Sequence, residues 1–343
     1  MEELREQIRA AHEQGTTLDI RGGGSKTFLG QAVTADLELP TKGLAGIIDY
    51  QPEELFICAR AGTFLLDIEK LLPDNGQMQP FEPPRFSPSA TLGGAIACGL
   101  SGPSRPWRGA AGDFVLGCRM INGRGELLHF GGEVIKNVAG YDVSRLQCGA
   151  FGTLGLLVEL SIKTVPAPRR EITLCQQADE ATALDSFVRW NRQPLPLSGA
   201  AWHGGKLWIR LSATPAAVED ACRQIGADEV DNNGFWQDLK EQQLPFFHDE
   251  RPLWRLSLPR NTGRLKLPGD ILVDWGGAQR WLLSETPAAG IQQLASESGG
   301  HASSFRNGPF QPLAPAVLLL HRRLKQAFDP KGIFNPGRLY AGL

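Results

Sequence analysis

The sequence predicts an α+β protein of two domains, and three observations lead there. A length of 343 residues suggests about two domains. Apolar residues recur with period two in many short segments and with a helical period in a few longer ones, the mixture expected of an α+β chain. The segments 114–122 and 126–130 are joined by Asn122-Gly123-Arg124-Gly125. Asn-Gly between alternating apolar runs is a hairpin signal, so that pair is expected to be antiparallel.

Taken in order, the elements are these. MEELREQIRAAHEQ places Leu4, Ile8 and Ala11 on one stripe of a helix, and Gly15 supplies its stop. Strands follow at Thr17–Arg21, Val33–Leu39 and Glu54–Ala61, and Gly62-Thr63 opens a helix carrying Leu65, Ile68 and Leu72. Residues 83–112 read as loop, rich in Pro, Ser and Gly. The hairpin comes next, then a long strand at Leu154–Val165 closed by Pro166 and Pro168. Composition then shifts: residues 1–167 hold 24 of the 40 Gly and one of the eight Trp. A domain boundary is therefore expected near 166–170. Beyond it the reading is strand (171–174), helix (179–191), strands (199–202 and 206–211), helix (215–225) and strands (253–258 and 271–275). A last helix at 313–328 precedes Asp329-Pro-Lys-Gly-Ile-Phe-Asn335-Pro336-Gly337. The expected division is 1–167, 168–312 and a returning segment 313–343.

Bulk numbers exclude several function classes. Net charge is −2, without the basic footprint of a nucleic-acid binder. No apolar run approaches the ~20 residues that span a bilayer, and the N-terminal helix is not a signal peptide. The six Cys stand 20 or more residues apart without C-x-x-C, which argues against zinc or iron–sulfur ligation and for reduced thiols in a cytoplasmic protein. The six His form no metal-binding pair. P-loop, nucleophile-elbow and G-x-G-x-x-G patterns are missing, which removes ordinary nucleotide triphosphatases, serine hydrolases and Rossmann dehydrogenases.

Three clusters carry chemistry. The strand ending at Arg21 runs into Gly22-Gly23-Gly24-Ser25-Lys26, where successive glycines let backbone N–H groups converge on a phosphate; a plain glycine turn is the alternative. Ser87-Pro88-Ser89-Ala90-Thr91-Leu92-Gly93-Gly94, continuing through Gly99, Ser101 and Gly102, is small enough for a flat ligand to lie on the main chain, or for a tightly packed loop. The third is Lys136-Asn137-Val138-Ala139-Gly140-Tyr141-Asp142 with Gly149-Ala-Phe-Gly152-Thr153-Leu154-Gly155.

In this order the clusters resemble the FAD-binding domain of the vanillyl-alcohol oxidase / p-cresol methylhydroxylase (PCMH) superfamily. The ending 328–337 is similar to that of its D-2-hydroxyacid dehydrogenase branch, and the whole is similar to the FAD-binding subunits of bacterial glycolate oxidases. The resemblance implies a PCMH-type FAD domain of two α+β subdomains with an α+β cap, and FAD held non-covalently, since Ser25-Lys26 stands where some relatives attach flavin to a His. It implies that Arg21, Gly22, Gly23, Gly24, Ser25 and Lys26 hold the pyrophosphate with Pro88, Ser89, Thr91, Gly93 and Gly94. Gly99, Ser101 and Gly102 would line the flavin; Asn137, Gly140, Tyr141 and Gly152, Thr153, Gly155, Leu156 and Leu157 would support its edges, with Asn335 approaching from the C-terminal segment. It further implies oxidation of a 2-hydroxy acid such as glycolate, a larger sister FAD subunit, an iron–sulfur subunit, and membrane contact only through such partners. One departure stands out. The branch's His-containing cap segment is represented only by Trp202-His203-Gly204-Gly205, with His301 later, so no general base is evident. That favours substrate chemistry on a sister subunit; a non-catalytic FAD-stabilised scaffold and a stand-alone oxidase are the alternatives.

Overall fold

The computed structural model describes residues 1–132, 142–231, 234–306 and 308–343. They form two units: Met1–Ser101 with Ala110–Ala167 and Pro312–Leu343, and Gly102–Gly109 with Pro168–Gln311.

In the first unit, the helix Glu2–Gln14 buries Ile8 and Ala11 and stops at Gly15, whose left-handed φ of 73° returns its N–H to Ala11. Strands β1 (Leu18–Arg21) and β2 (Leu37–Pro40) pair in parallel. The second starts four residues later than its apolar pattern suggests. Asp36 explains the difference: its carboxylate accepts from the Thr17 N–H and hydroxyl, both at 2.7 Å, and so turns the preceding residues off the ladder.

An antiparallel sheet of β3 (Ile47–Gln51), β4 (Phe56–Arg60), β6 (Val115–Ile121), β7 (Leu127–Gly131) and β8 (Leu156–Lys163) runs in the order β3-β4-β8-β6-β7; β5 (Gln77–Met78) pairs with β9 (Val165–Pro166) separately. The expected hairpin is β6–β7, closed by Asn122 and by Gly125 at φ 74°. One sheet face packs on Leu65, Ile68, Phe81 and Ile96.

The stretch read as loop contains a helix, Leu92–Cys98. Thr91 caps it by accepting from Gly94 N at 3.2 Å, and Gly99 ends it at φ 64°. Its glycines serve packing: a Cβ on Gly93 would lie 2.7 Å from the Ala61 methyl.

The last helix, Pro315–Phe328, delivers a segment to the free edge of β1: Leu18 N donates to Ile333 O at 2.7 Å, and Asn335 N to Leu18 O at 2.9 Å. Ile333 and Phe334 complete a second core with Ile8, Leu18 and Leu39. Lys325 and Asp329 pin this return. The buried Lys325 Nζ donates to Thr153 O, Phe334 O and Asp329, all within 2.8 Å, while the Asp329 carboxylate accepts from Ile333 and Phe334 N.

The second unit is built on one antiparallel sheet: β10 (Arg170–Gln177), β11 (Leu197–His203), β12 (Lys206–Ala213), β13 (Asp228–Val230), β14 (Leu253–Ser257), β15 (Asp270–Asp274), β16 (Gln279–Leu283) and β17 (His301–Ser304). The order is β13-β10-β12-β11-β15-β16-β14-β17. Helices Glu180–Trp190 and Pro215–Ile225, capped by Asp179 and Thr214, supply Phe187, Trp190 and Val218 to its core. Helix Ala288–Glu297 packs Ile291 and Ala295 on Trp254, Leu256 and Leu282. β16 carries no alternation to read, because all five of its residues are buried. Among them Arg280 is fully buried, donating to three backbone carbonyls, and burial pushes its pKa down to about 10.

Candidate cofactor-binding site

The cleft that matters lies within the first unit, at the C-terminal end of β1, with a volume of about 1090 Å³ and open to solvent. Its floor is Gly22–Ser25. Among the described residues, the backbone N–H groups of these four donate to nothing in the protein. Converging, unpaired amides at a strand end are the ordinary construction of an anion cradle. The cradle is held from behind: Ser89 Oγ donates to Gly23 O at 2.6 Å, and a Cβ on Gly23 would sit 1.6 Å from Ser89 O. On Gly22 it would meet the Thr91 hydroxyl at 2.8 Å. Both positions need glycine because of the Ser87–Thr91 loop itself.

The walls combine apolar and basic groups. Ile20, Val33, Ala61, Ala97, Leu156 and Leu157 give apolar surface; Arg21, Lys26 and Arg338 supply positive charge, with Asp19 the single carboxylate among the described lining residues. Among the described residues the lining includes no imidazole. Arg21 pairs with Asp19 and with Glu38, and Asp19 holds its guanidinium more firmly protonated than usual. Lys26 is buried, its ammonium 3.3 Å from Arg85 O and over the Phe86 ring. Burial pushes the Cys98 thiol up, with Lys26 and Arg338 pulling the other way, so Cys98 stays protonated near neutrality.

Two C-terminal residues close the cleft. Asn335 Oδ1 accepts from Ile20 N at 2.7 Å and its Nδ2 donates to Phe151 O at 2.7 Å, joining β1 to the turn before β8. Arg338 donates to the carbonyls of Lys26, Thr27 and Gln31 at 3.1–3.2 Å and so fixes the far side of the glycine loop.

The structure therefore brings together Arg21, Gly22, Gly23, Gly24, Ser25, Lys26, Thr91, Gly93, Gly94, Gly152, Gly155, Leu156, Leu157 and Asn335. Six other expected residues do not line the cleft. Pro88 and Ser89 stand behind Gly23. Gly99 is the helix stop and backs onto Gly149, while Ser101 accepts from Ala111 N. Thr153 is buried with its hydroxyl on Ala150 O. Gly102 groups with the second unit, where its carbonyl accepts from Trp275 Nε1 at 3.0 Å. Asn137, Gly140 and Tyr141 lie outside the described residues. Sequence reasoning missed Thr41, Ala61, Ala97, Cys98, Phe151 and Arg338. Thr41 and Ala61 immediately follow β2 and β4, and that shared placement was the available signal.

Donors for a pyrophosphate, hydroxyls and carbonyls for a ribityl chain, and apolar walls for two ring systems fit FAD. Among the described residues no group of three His, Cys, Asp or Glu could hold a metal, no helix is long and apolar enough to cross a membrane, and the six cysteines are not bridged.

His203 ends β11, in the second unit, with its ring edge-on to Phe246 at 5.2 Å and its Nδ1 buried without a partner among the described residues. Burial pulls its pKa below the ordinary value of 6.5. An unfolded chain thus takes up this proton first on acidification, so stability is lost as pH falls below ~6.5, down to the folded pKa. His203→Asn should lose less of its melting temperature than the native chain between pH 7 and 5; parallel losses in calorimetry would exclude His203 as a source of that slope.

Comparison with known proteins defines the class. Residues 1–131 match the family described as FAD binding domain, and residues 312–339 match the C-terminal domain of FAD linked oxidases. The fold is shared with alkyldihydroxyacetonephosphate synthase at a TM-score of 0.69 and 16% identity, covering 98% of this chain and 76% of that one. The chain is 48% identical to glycolate oxidase subunit GlcE of Escherichia coli (strain K12), over 99% of its own length and 97% of the relative's. Glycolate oxidase subunit GlcD of Bacillus subtilis (strain 168) is 30% identical over 50% of this chain and 37% of its own. The protein is an FAD-binding flavoprotein of the FAD-linked oxidoreductases. Within them it belongs to the glycolate oxidase subunit GlcE family.

Proposed function

We propose that this chain is the FAD-binding subunit of a complex oxidising glycolate, or a closely similar 2-hydroxy acid, to the 2-oxo acid. The observation that carries the reading is the near full-length identity to GlcE joined to an intact FAD cleft. FAD supplies a two-electron acceptor for the hydride of the substrate C–H bond. The chain's own residues do the positioning: the Gly22–Ser25 amides meet the pyrophosphate, Arg338 and Asn335 hold that loop and the opposite wall in register, and the apolar walls exclude water from the rings. In this reading a larger sister FAD subunit provides the base for the substrate hydroxyl, and electrons leave through an iron–sulfur subunit. The lack of an imidazole among the described residues of the cleft supports that division of labour, and it equally suits a scaffold whose flavin never turns over.

Purified alone, the chain is expected to be yellow and to stay yellow under anaerobic glycolate, then to bleach when the sister subunit is added. Bleaching alone would make it an independent oxidase. Flavin that persists in the active complex would make it a scaffold. Protein without flavin in its denatured supernatant would overturn the reading.

A further inference from the structure

In the second unit two cations share one indole. The guanidinium carbons of Arg105 and of Arg255, on β14, lie 4.6 and 5.1 Å from the centroid of the Trp275 ring. Trp275 is held at both ends: its backbone N–H donates to Asp274 Oδ1 at 2.6 Å and its Nε1 to Gly102 O at 3.0 Å. Its backbone is strained as well. Trp275 is 2% exposed with φ 54°, a left-handed conformation unusual for a bulky residue, and Gly276 and Gly277 continue with φ 58° and 99°. A tryptophan kept in such a conformation implies that the ring's position matters.

Arg255 is the informative partner. Among the described residues its guanidinium makes no ion pair, and its one hydrogen bond runs from Nε to Gln279 Oε1 at 2.7 Å. The four terminal N–H donors are left without a protein acceptor. Gln279 in turn donates to Asp274 Oδ2 at 3.2 Å, which engages the nearby carboxylate. Arg255 is half-buried, and burial, with Arg105 adding repulsion, brings its pKa down to about 10 against the pull of Asp274. His301 stands opposite Ser257, on the same sheet face two residues along from Arg255; burial, with that guanidinium adding repulsion, holds its pKa below the ordinary value. A partly desolvated guanidinium with open donors, next to a second one, is stabilised by an anion. The planar fork of a guanidinium matches a carboxylate, and the buried indole holds the two guanidiniums side by side. Arg105 and His301 are exposed, so the cluster is reachable from solvent.

We propose that Arg255, with Arg105 and the Trp275 ring, forms a binding site in the second unit for the carboxylate of a small monocarboxylic acid. It rests on the glycolate reading for the identity of that acid. The site selects for the anion: the neutral amide of the same acid lacks the charge that Arg255 requires.

Isothermal titration calorimetry of the flavin-loaded chain with glycolate, lactate and glycolamide tests this. Glycolate and lactate are expected to bind saturably and glycolamide not. Arg255→Met should weaken binding at least about tenfold, the scale of a lost charge-assisted pair. The exposed Arg105→Met should weaken it less, and Arg251→Met, a surface pair with Asp249 and Asp270, not at all. Flavin content should be native in all three, since none lines the cofactor cleft. The site is overturned by native affinity in both Arg255→Met and Arg105→Met, by glycolamide binding as tightly as glycolate, or by no carboxylate binding. Turnover is not needed: the chain alone is expected to stay yellow under glycolate, so Arg255-dependent binding without bleaching supports the site, and bleaching would overturn the division of labour between subunits and not the site.

Discussion

Gly23→Ala should yield a chain that folds in its second unit but retains almost no FAD. One methyl is enough, because the Cβ would fall 1.6 Å from Ser89 O and 2.5 Å from its carbonyl carbon, and neither is the movable end of a side chain. The main chain of 22–24 or of 87–90 must shift by about an ångström, and a positioning element displaced that far costs on the order of a hundredfold. Gly24→Ala is the matched control: it has φ 73° but nothing within 4 Å, so it incurs ~1–2 kcal/mol of backbone strain and no collision. Absorbance of the bound flavin per chain decides the matter. Equal retention in the two variants would mean that the Ser87–Thr91 loop is not what fixes the cradle.

Lys325→Met should be the most damaging single substitution for stability in the first unit. The ammonium is the common donor to Thr153 O, Phe334 O and Asp329, and its loss leaves a fully buried carboxylate without its cation. Breaking a buried pair from one side costs about 3–5 kcal/mol. For a unit of this size that is a fall in melting temperature on the order of 10 °C. Lys331→Met, six residues on and exposed, should leave the melting temperature within about a degree, in line with ordinary surface changes. A native melting temperature in Lys325→Met would show that the C-terminal return is held by Ile333 and Phe334 alone.

Elements whose signal is local were legible in the sequence. The N-terminal helix with its Gly15 stop, the Asn122-Gly123 hairpin and the strand running into Gly22-Gly23-Gly24 each depend on residues adjacent in the chain. Helix Leu92–Cys98 was hidden by its own glycines, which lower helix propensity yet are needed where Gly93 meets Ala61. β16 was hidden because a strand buried on both faces has no alternation. In the site, the glycine cradle was readable but its reason was only half so, since Ser89 is 66 residues from Gly23. Arg338 carried no local signature at all: the carbonyls it binds are more than 300 residues away.

The Asn335–Ile20 contact spans 315 positions, and nearly half of that span is the second unit, threaded between parts of the first. For chain closure such a span is inexpensive to alter, because closure entropy rises only with the logarithm of length, by about 0.6 kcal/mol per doubling. The cofactor half is therefore nearly indifferent to how many residues lie between Ala167 and Pro312. Cap regions can lengthen, shorten or be exchanged while the flavin cradle stays closed by the same returning strand.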